Sequence, residues 1–191
     1  MSFILASGSA SRRSLLTNAG VKFEVDPADV DEGAIKDAFD GSPSELALHL
    51  AKAKALAVST RREGLILGAD QVLEFDGKAY DKAKSIDEAS NRLKMLRGGV
   101  HYLQGGVVLA RGETIVWEHK SSAKLTMRAW SDAFHERYMA EAGDILTKGV
   151  GAYAFEGLGA QLFQSVEGDF FSILGLPLLP VLDALREQGV L

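Results

Sequence analysis

The chain has 191 residues, 47% of them hydrophobic, with 21 Lys and Arg against 26 Asp and Glu and a formal net charge of −5. That length suits one domain, residues 1–191, with a sizeable core, and the lack of cysteine excludes disulfides, a thiolate nucleophile and Cys-ligated metal. The acidic excess argues against a generic nucleic-acid binder, so any anionic ligand must meet locally concentrated cations.

Residues 3–6 read as a short buried strand. They run into the small polar stretch Ser7-Gly8-Ser9-Ala10-Ser11 and then a helix carrying Arg12, Arg13, Leu15 and Leu16. No basic region precedes the apolar start, so no targeting segment is expected. An acidic region follows with Glu24, Asp26, Asp29, Asp31 and Glu32. Ser42-Pro43-Ser44-Glu45 places an N-cap serine, a first-turn proline and a capping-box glutamate before a helix. Leu46, Leu50, Ala53 and Ala57 give that helix its apolar face, and Gly64 is expected to stop it. Residues 65–73 read as a strand buried on both faces, with Asp76-Gly77 as a hairpin turn.

Ser85-x-x-Glu88 announces a helix through Leu96. Residues 100–110 and 114–127 form an expected antiparallel pair joined at Arg111-Gly112-Glu113. Ser131 caps a helix to about Ala142. A glycine-rich segment, 149–159, then precedes a last strand and a closing helix over 177–187. The apolar run 170–182 is too short to span a bilayer and reads as core. Helices alternating with strands and hairpins imply a mixed-sheet α/β fold, and a soluble cytoplasmic protein without membrane contact is expected.

Chemistry could sit in several places. A strand feeding Ser7-Gly8-Ser9 into a helix N-terminus presents N–H groups and a positive dipole end, and Arg12 or Arg13 could fork onto phosphate oxygens. The alternative is a capped helix with two solvated arginines. Asp70, in Leu67-Gly68-Ala69-Asp70-Gln71, follows a buried strand, where a carboxylate could hold a metal or orient water; it could equally cap a turn. Asp31 and Glu32 are hard oxygen ligands for Mg²⁺ or Mn²⁺, or part of a solvated loop. Lys54 and Lys82 can reach phosphates, as can many surface lysines. His49, His101, His119 and His135 show no metal-ligand spacing, and His101 reads as structural.

Taken in order, these segments resemble the Maf family of nucleotide pyrophosphatases across nearly the whole chain. The carriers are Leu5-Ala6-Ser7-Gly8-Ser9-Ala10-Ser11-Arg12-Arg13, Val30-Asp31-Glu32, Leu50-Ala51-Lys52-Ala53-Lys54-Ala55, Gly68-Ala69-Asp70, Lys82-Ala83 and Gly175-Leu176-Pro177-Leu178. The resemblance implies hydrolysis of a nucleoside triphosphate to the monophosphate and pyrophosphate, a house-cleaning task. It also implies an elongated mixed sheet in two lobes around a nucleotide cleft, as in inosine triphosphate pyrophosphatases, often as a homodimer.

Carried onto this sequence, the family pattern makes Asp70 the catalytic carboxylate and gives Asp70 with Glu32 a divalent metal, Mg²⁺ or Mn²⁺. Ser7, Ser9, Arg12, Arg13, Lys54 and Lys82 become phosphate-binding residues, and Gln71 and Glu156 base-recognition residues. The chain departs from the pattern at Ala10, where the family has proline, at Ala83 after Lys82, and at Gly105. The Arg12-Arg13 spacing, Asp70-Gln71 and Glu156-Gly157 resemble the subgroup that prefers 7-methylguanosine triphosphate. A carboxylate such as Glu156 suits the guanine N1–H, its exocyclic amine and a cationic ring. The rivals are a pyrimidine or broad-specificity triphosphatase and a non-catalytic nucleotide-binding regulator of cell division.

Overall fold

One sheet of seven strands runs the length of the molecule in the computed structural model, which describes residues 2–191. The strands are β1 (Phe3–Leu5), β2 (Glu24–Val25), β3 (Leu65–Phe75), β4 (Lys78–Tyr80), β5 (Val100–Arg111), β6 (Thr114–Met127) and β7 (Phe163–Glu167). Their order is β2-β1-β3-β5-β6-β7, with β4 also paired to β3. β1 lies parallel to β2 and β3, and every other pairing is antiparallel. The mixed sheet expected from the sequence is present.

The helices are α1 (Ala10–Asn18), α2 (Glu32–Asp37), α3 (Pro43–Ser59), α4 (Ile86–Leu96), α5 (Asp132–Ala142), α6 (Ile145–Lys148), α7 (Phe170–Ile173) and α8 (Leu178–Glu187). Local chemistry sets most of their starts. Ser42 and Glu45 form a reciprocal capping box on α3, and Ser85 and Ser131 accept from the backbone of Glu88 and Phe134. α3 ends at Ser59, earlier than expected; Gly64 sits instead in the turn that enters β3. Asp76 and Gly77 both adopt positive φ, 49° and 71°, as a tight hairpin between β3 and β4 requires.

Of the buried apolar clusters, the two largest lie toward opposite ends of the long strands. One gathers Leu5, Leu16, Leu65, Leu67, Leu109 and Leu185 around the parallel end of the sheet. The other gathers Leu73, Leu93, Leu103, Leu125, Tyr138 and Phe163 beneath α4 and α5. These are the two lobes, and β3 and β5 run unbroken from one to the other.

The boundary between the lobes has a particular geometry. One edge of β3 is covered by β5 along nearly its whole length. On the other edge β1 pairs with Leu65, Ile66 and Leu67, and β4 with Leu73, Glu74 and Phe75. Among the described residues, no strand covers positions 68–72 on that side. Asp70 and Gln71 occupy this gap, their side chains on opposite faces of the strand.

The closing apolar run is only partly core, contrary to the sequence expectation. Phe170 and Leu179 are 48% and 58% exposed, whereas Leu176, Leu178 and Val181 are buried. The expectation failed because the run folds into two helices, α7 and α8, each burying one face and leaving Phe170 or Leu179 on the other.

Candidate active site

The gap beside β3 opens into a cleft of about 1160 Å³, lined by the loop before α1, by α1 itself, by Glu32, Lys36, Lys54, Asp70, Gln71, Asp81 and Lys82, and by residues from 145–156 and 173–175. That is somewhat larger than the roughly 300–1,000 Å³ usual for small-molecule sites.

Close packing of α3 on the sheet puts the charged cluster there. Gly68 of β3 and Gly106 of β5 face α3, and a Cβ on either would collide with α3 backbone, at Ala51 and Ala55 or at Ala47 and Leu48. With both glycines the helix lies against the strands. Lys54 then reaches Asp70, and its Nζ donates to Asp70 Oδ1 at 2.5 Å and lies 2.8 Å from Glu32 Oε1. Both partners are shielded, with the Lys54 and Asp70 side chains 12% and 10% exposed. Burial works to raise the Glu32 pKa, but Lys54 and then Lys36 outweigh it and hold the carboxyl below its ordinary range.

The opposite charge arrangement begins at the end of β1. Ser9 caps α1, and its side chain accepts the Arg12 backbone N–H. Arg12 is buried; its Nε donates to the Gly175 carbonyl at 2.8 Å and one terminal nitrogen to Ser7 Oγ at 3.1 Å. Burial lowers the Arg12 pKa, while Asp70 and Glu32 pull it back up. An arginine stays a cation under either influence. Its fork has donors left over beyond these two bonds. The loop thus offers backbone N–H groups, hydroxyls and a fixed guanidinium on the same side of the cleft as Asp70 and Glu32, whose charge Arg12 feels.

The remaining expected residues are distributed as follows. Lys82 is exposed and lines the cleft between β4 and α4. Gln71 lines it too, but its Nε2 donates to the Ser172 carbonyl at 2.8 Å, which ties the amide to α7. Glu156 is exposed on the facing wall. Asp31 caps α2, its Oδ1 accepting from the Ala34 backbone at 3.0 Å. Arg13 is the departure. It is exposed and does not line the cleft, because successive helical residues point about 100° apart and Arg12 already faces inward.

His101 is structural, as expected. It is fully buried, its Nε2 lies 2.6 Å from the Tyr153 hydroxyl, and burial lowers its pKa to about 4. Tyr153 lines the cleft, so this pair sits beneath the wall that carries Glu156.

Among the cleft residues that sequence reasoning missed are Lys36 and Asp81. Lys36 Nζ lies 2.6 Å from Asp81 Oδ1 and 3.4 Å from Glu32 Oε2. The Glu32-to-Lys36 spacing is an i,i+4 helix pair, visible only once α2 is recognised as a helix. Asp81 gave no signal beyond its place next to Lys82.

These features define an α/β protein whose large cleft, at the junction of two lobes, brings fixed anion-type donors together with a buried lysine–carboxylate cluster. The chain belongs to the Maf family: the family model described as "Maf-like protein" matches residues 2–188. It is 48% identical over 191 residues to the nucleoside triphosphate pyrophosphatase of Maricaulis maris (strain MCS10), covering 99% of this chain and 97% of that one. It is 44% identical over 192 residues to the 7-methyl-GTP pyrophosphatase of Rhizobium meliloti (strain 1021), covering 98% and 96%. Among solved structures, the Staphylococcus aureus Ham1 protein aligns over 99% of this chain and 100% of its own at a TM-score of 0.47 and 13% identity, a distant likeness only. No helix among the described residues is long and apolar enough to cross a membrane.

Proposed function

We propose that this protein hydrolyses a nucleoside triphosphate between the α- and β-phosphates, releasing the monophosphate and pyrophosphate. The observation that carries this reading is Lys54 held between Asp70 and Glu32 in the cleft that the Ser7–Arg12 loop also lines. Relatives of near-equal length named as pyrophosphatases support it.

The triphosphate lies with its phosphates against the N-terminus of α1. There the backbone N–H groups, Ser7, Ser9 and Arg12 donate to phosphate oxygens, and Lys54 and Lys82 reach the same phosphates. Asp70 accepts a proton from a water and aims it at the α-phosphorus. A new P–O bond forms to the water oxygen while the bond to the bridging oxygen breaks, and pyrophosphate leaves with the electron pair. Arg12 and Lys54 stabilise the charge that gathers on the leaving group.

The donor set suits a divalent cation. Asp70 and Glu32 converge on one point, where the Lys54 ammonium already sits as a cation between them. No group of three or more acidic or histidine ligands exists among the described residues. A pair of carboxylates completed by substrate phosphates and water is the usual manner of Mg²⁺. Asp70 and Glu32 would hold the ion, and bound there it would neutralise phosphate charge and lower the pKa of water.

For the base, we favour a 7-methylguanosine-type nucleotide over a pyrimidine. Glu156 places an acceptor carboxylate on the exposed wall, suited to two guanine donors and a cationic ring. Two of the relatives carry the 7-methyl-GTP name. Gln71 contributes to recognition by its place in the β3 gap, its amide direction set by Ser172. The test is a panel of triphosphates with product analysis. Monophosphate and pyrophosphate with highest kcat/KM for 7-methylguanosine triphosphate support both levels; a pyrimidine preference removes the finer one, and tight binding without turnover removes the enzyme.

A further inference from the structure

α2 is six residues long, too short to hold itself together in water, yet it carries Glu32. Part of its anchorage is apolar, with Ile35 and Phe39 packed on Leu46, Leu50 and Val72. The rest is ionic, between residues that both line the cleft. Lys36 Nζ bonds Asp81 Oδ1 at 2.6 Å while staying 3.4 Å from Glu32 Oε2. Burial works to lower the Lys36 pKa, but the hydrogen bond and charge of Asp81 override it, and the ammonium is held protonated.

Asp81 is held from behind. Its backbone carbonyl accepts from Arg92 at 2.7 Å, and the same Arg92 nitrogen donates to the Val150 carbonyl at 2.9 Å. Arg92 is buried and stacks over the Tyr80 ring at 4.8 Å. The loop that presents Lys82 is therefore pinned to α4 and to the far wall of the cleft. Lys36 and Asp81 also line a second, smaller cavity of about 310 Å³ with Phe39, Pro43 and Gly77, so the ion pair stands between two hollows. Its side chains are 20% and 55% exposed, and a pair that open contributes little to global stability.

We propose that Lys36 and Asp81 form a clasp that closes α2 onto the Lys82 loop, and that they act as positioning residues for Glu32 and Lys82. This rests on the pyrophosphatase reading for its kinetic consequence, but not for its structural one. With the clasp closed, Glu32 stands beside Lys54 and Asp70, and Lys82 faces them at a set separation. With it open, Glu32 keeps one cation in place of two and α2 swings on its apolar contacts. Small displacements of that kind cost catalysis far more than they cost stability.

The experiment is a double-mutant cycle on the full chain, read by kinetics and by amide hydrogen exchange of the unliganded protein. Lys36→Met and Asp81→Asn should each lower kcat/KM about tenfold, and the double variant should lose no more than the worse single one. Lys36→Arg, which keeps the reach and the charge, should stay within about threefold of wild type. Exchange of the α2 amides, including Ile35 and Ala38, should quicken about fivefold in both single variants, with thermal midpoints nearly unchanged. Additive kinetic losses would show that the two residues act separately and overturn the clasp, as would unchanged turnover. Unchanged α2 exchange overturns it too. If the wild-type protein turns over no triphosphate, the functional reading falls, and exchange alone decides the clasp.

Discussion

The two walls of the cleft are built on different principles. On the chemical wall, side chains are fixed by bonds to one another: Arg12 to Ser7 and Gly175, Lys54 to Asp70 and Glu32. On the facing wall, Glu156 is exposed, and order comes from beneath it. There Tyr153 is buried against His101 and Phe163, and Phe155 packs edge-on to Phe163 at 5.3 Å. Charge pairing fixes positions to a fraction of an ångström and suits phosphate chemistry, which is the same for every nucleotide. Apolar support with a polar rim leaves the outermost side chain replaceable. Changes on the first wall should therefore remove turnover, and changes on the second should redirect it.

The largest test of that division is Asp70→Asn. We expect kcat to fall about 10³-fold with the fold retained, since the amide keeps the shape but cannot take a proton from water. Activity near wild type would remove Asp70 from the chemistry. Arg12→Ala comes next, with a loss of about 10²-fold in kcat/KM for all triphosphates alike, measured across purine and pyrimidine substrates. A loss confined to one base would place Arg12 on the wrong wall.

An effect of similar size belongs to stability. His101 has its pKa lowered to about 4 by burial, below the unperturbed value of 6.5. The unfolded chain takes up a proton below that unperturbed value and the folded chain does not. Stability from this group is complete above pH 6.5 and declines as pH falls toward 4, by about 3 kcal/mol in all. Denaturant titrations of wild type and His101→Gln over that range should differ in slope. Parallel curves would mean that His101 is not the buried neutral group described.

Glu156→Gln should change the ratio of kcat/KM between 7-methylguanosine and pyrimidine triphosphates about tenfold, with kcat on the best remaining substrate little altered. An equal loss on every substrate would move Glu156 to the chemical wall. Smallest of all is Arg13→Ala, expected within about twofold of wild type because the side chain points away from the cleft. A large loss would show that α1 rotates or that Arg13 reaches the substrate by another route.

Features written in a few adjacent residues were legible in the sequence. The capping box of α3, the Asp76-Gly77 turn, the unbroken apolar start of β3 and the strand–loop–helix at Ser7–Arg12 are all of this kind, and each forms as read. The order of motifs brought Glu32, Lys54, Asp70 and Lys82 onto one short roll, and the fold gathers all four at one cleft. What stayed hidden depends on tertiary neighbours. α2 and β2 are too short to carry a periodic signal, and Asp81 matters only because α2 comes to meet it. Gly68 and Gly106 look like ordinary strand glycines until α3 is seen pressed against them. Arg13 misled because adjacency in sequence is not adjacency on a helix face.

The central claim is attack of water at the α-phosphorus, directed by Asp70. Hydrolysis in ¹⁸O-labelled water, with the products separated and weighed by mass spectrometry, tests it most directly. The account predicts one ¹⁸O in the nucleoside monophosphate, unlabelled pyrophosphate, and almost no product from Asp70→Asn. Label in the pyrophosphate, release of orthophosphate, or undiminished turnover by Asp70→Asn would contradict it.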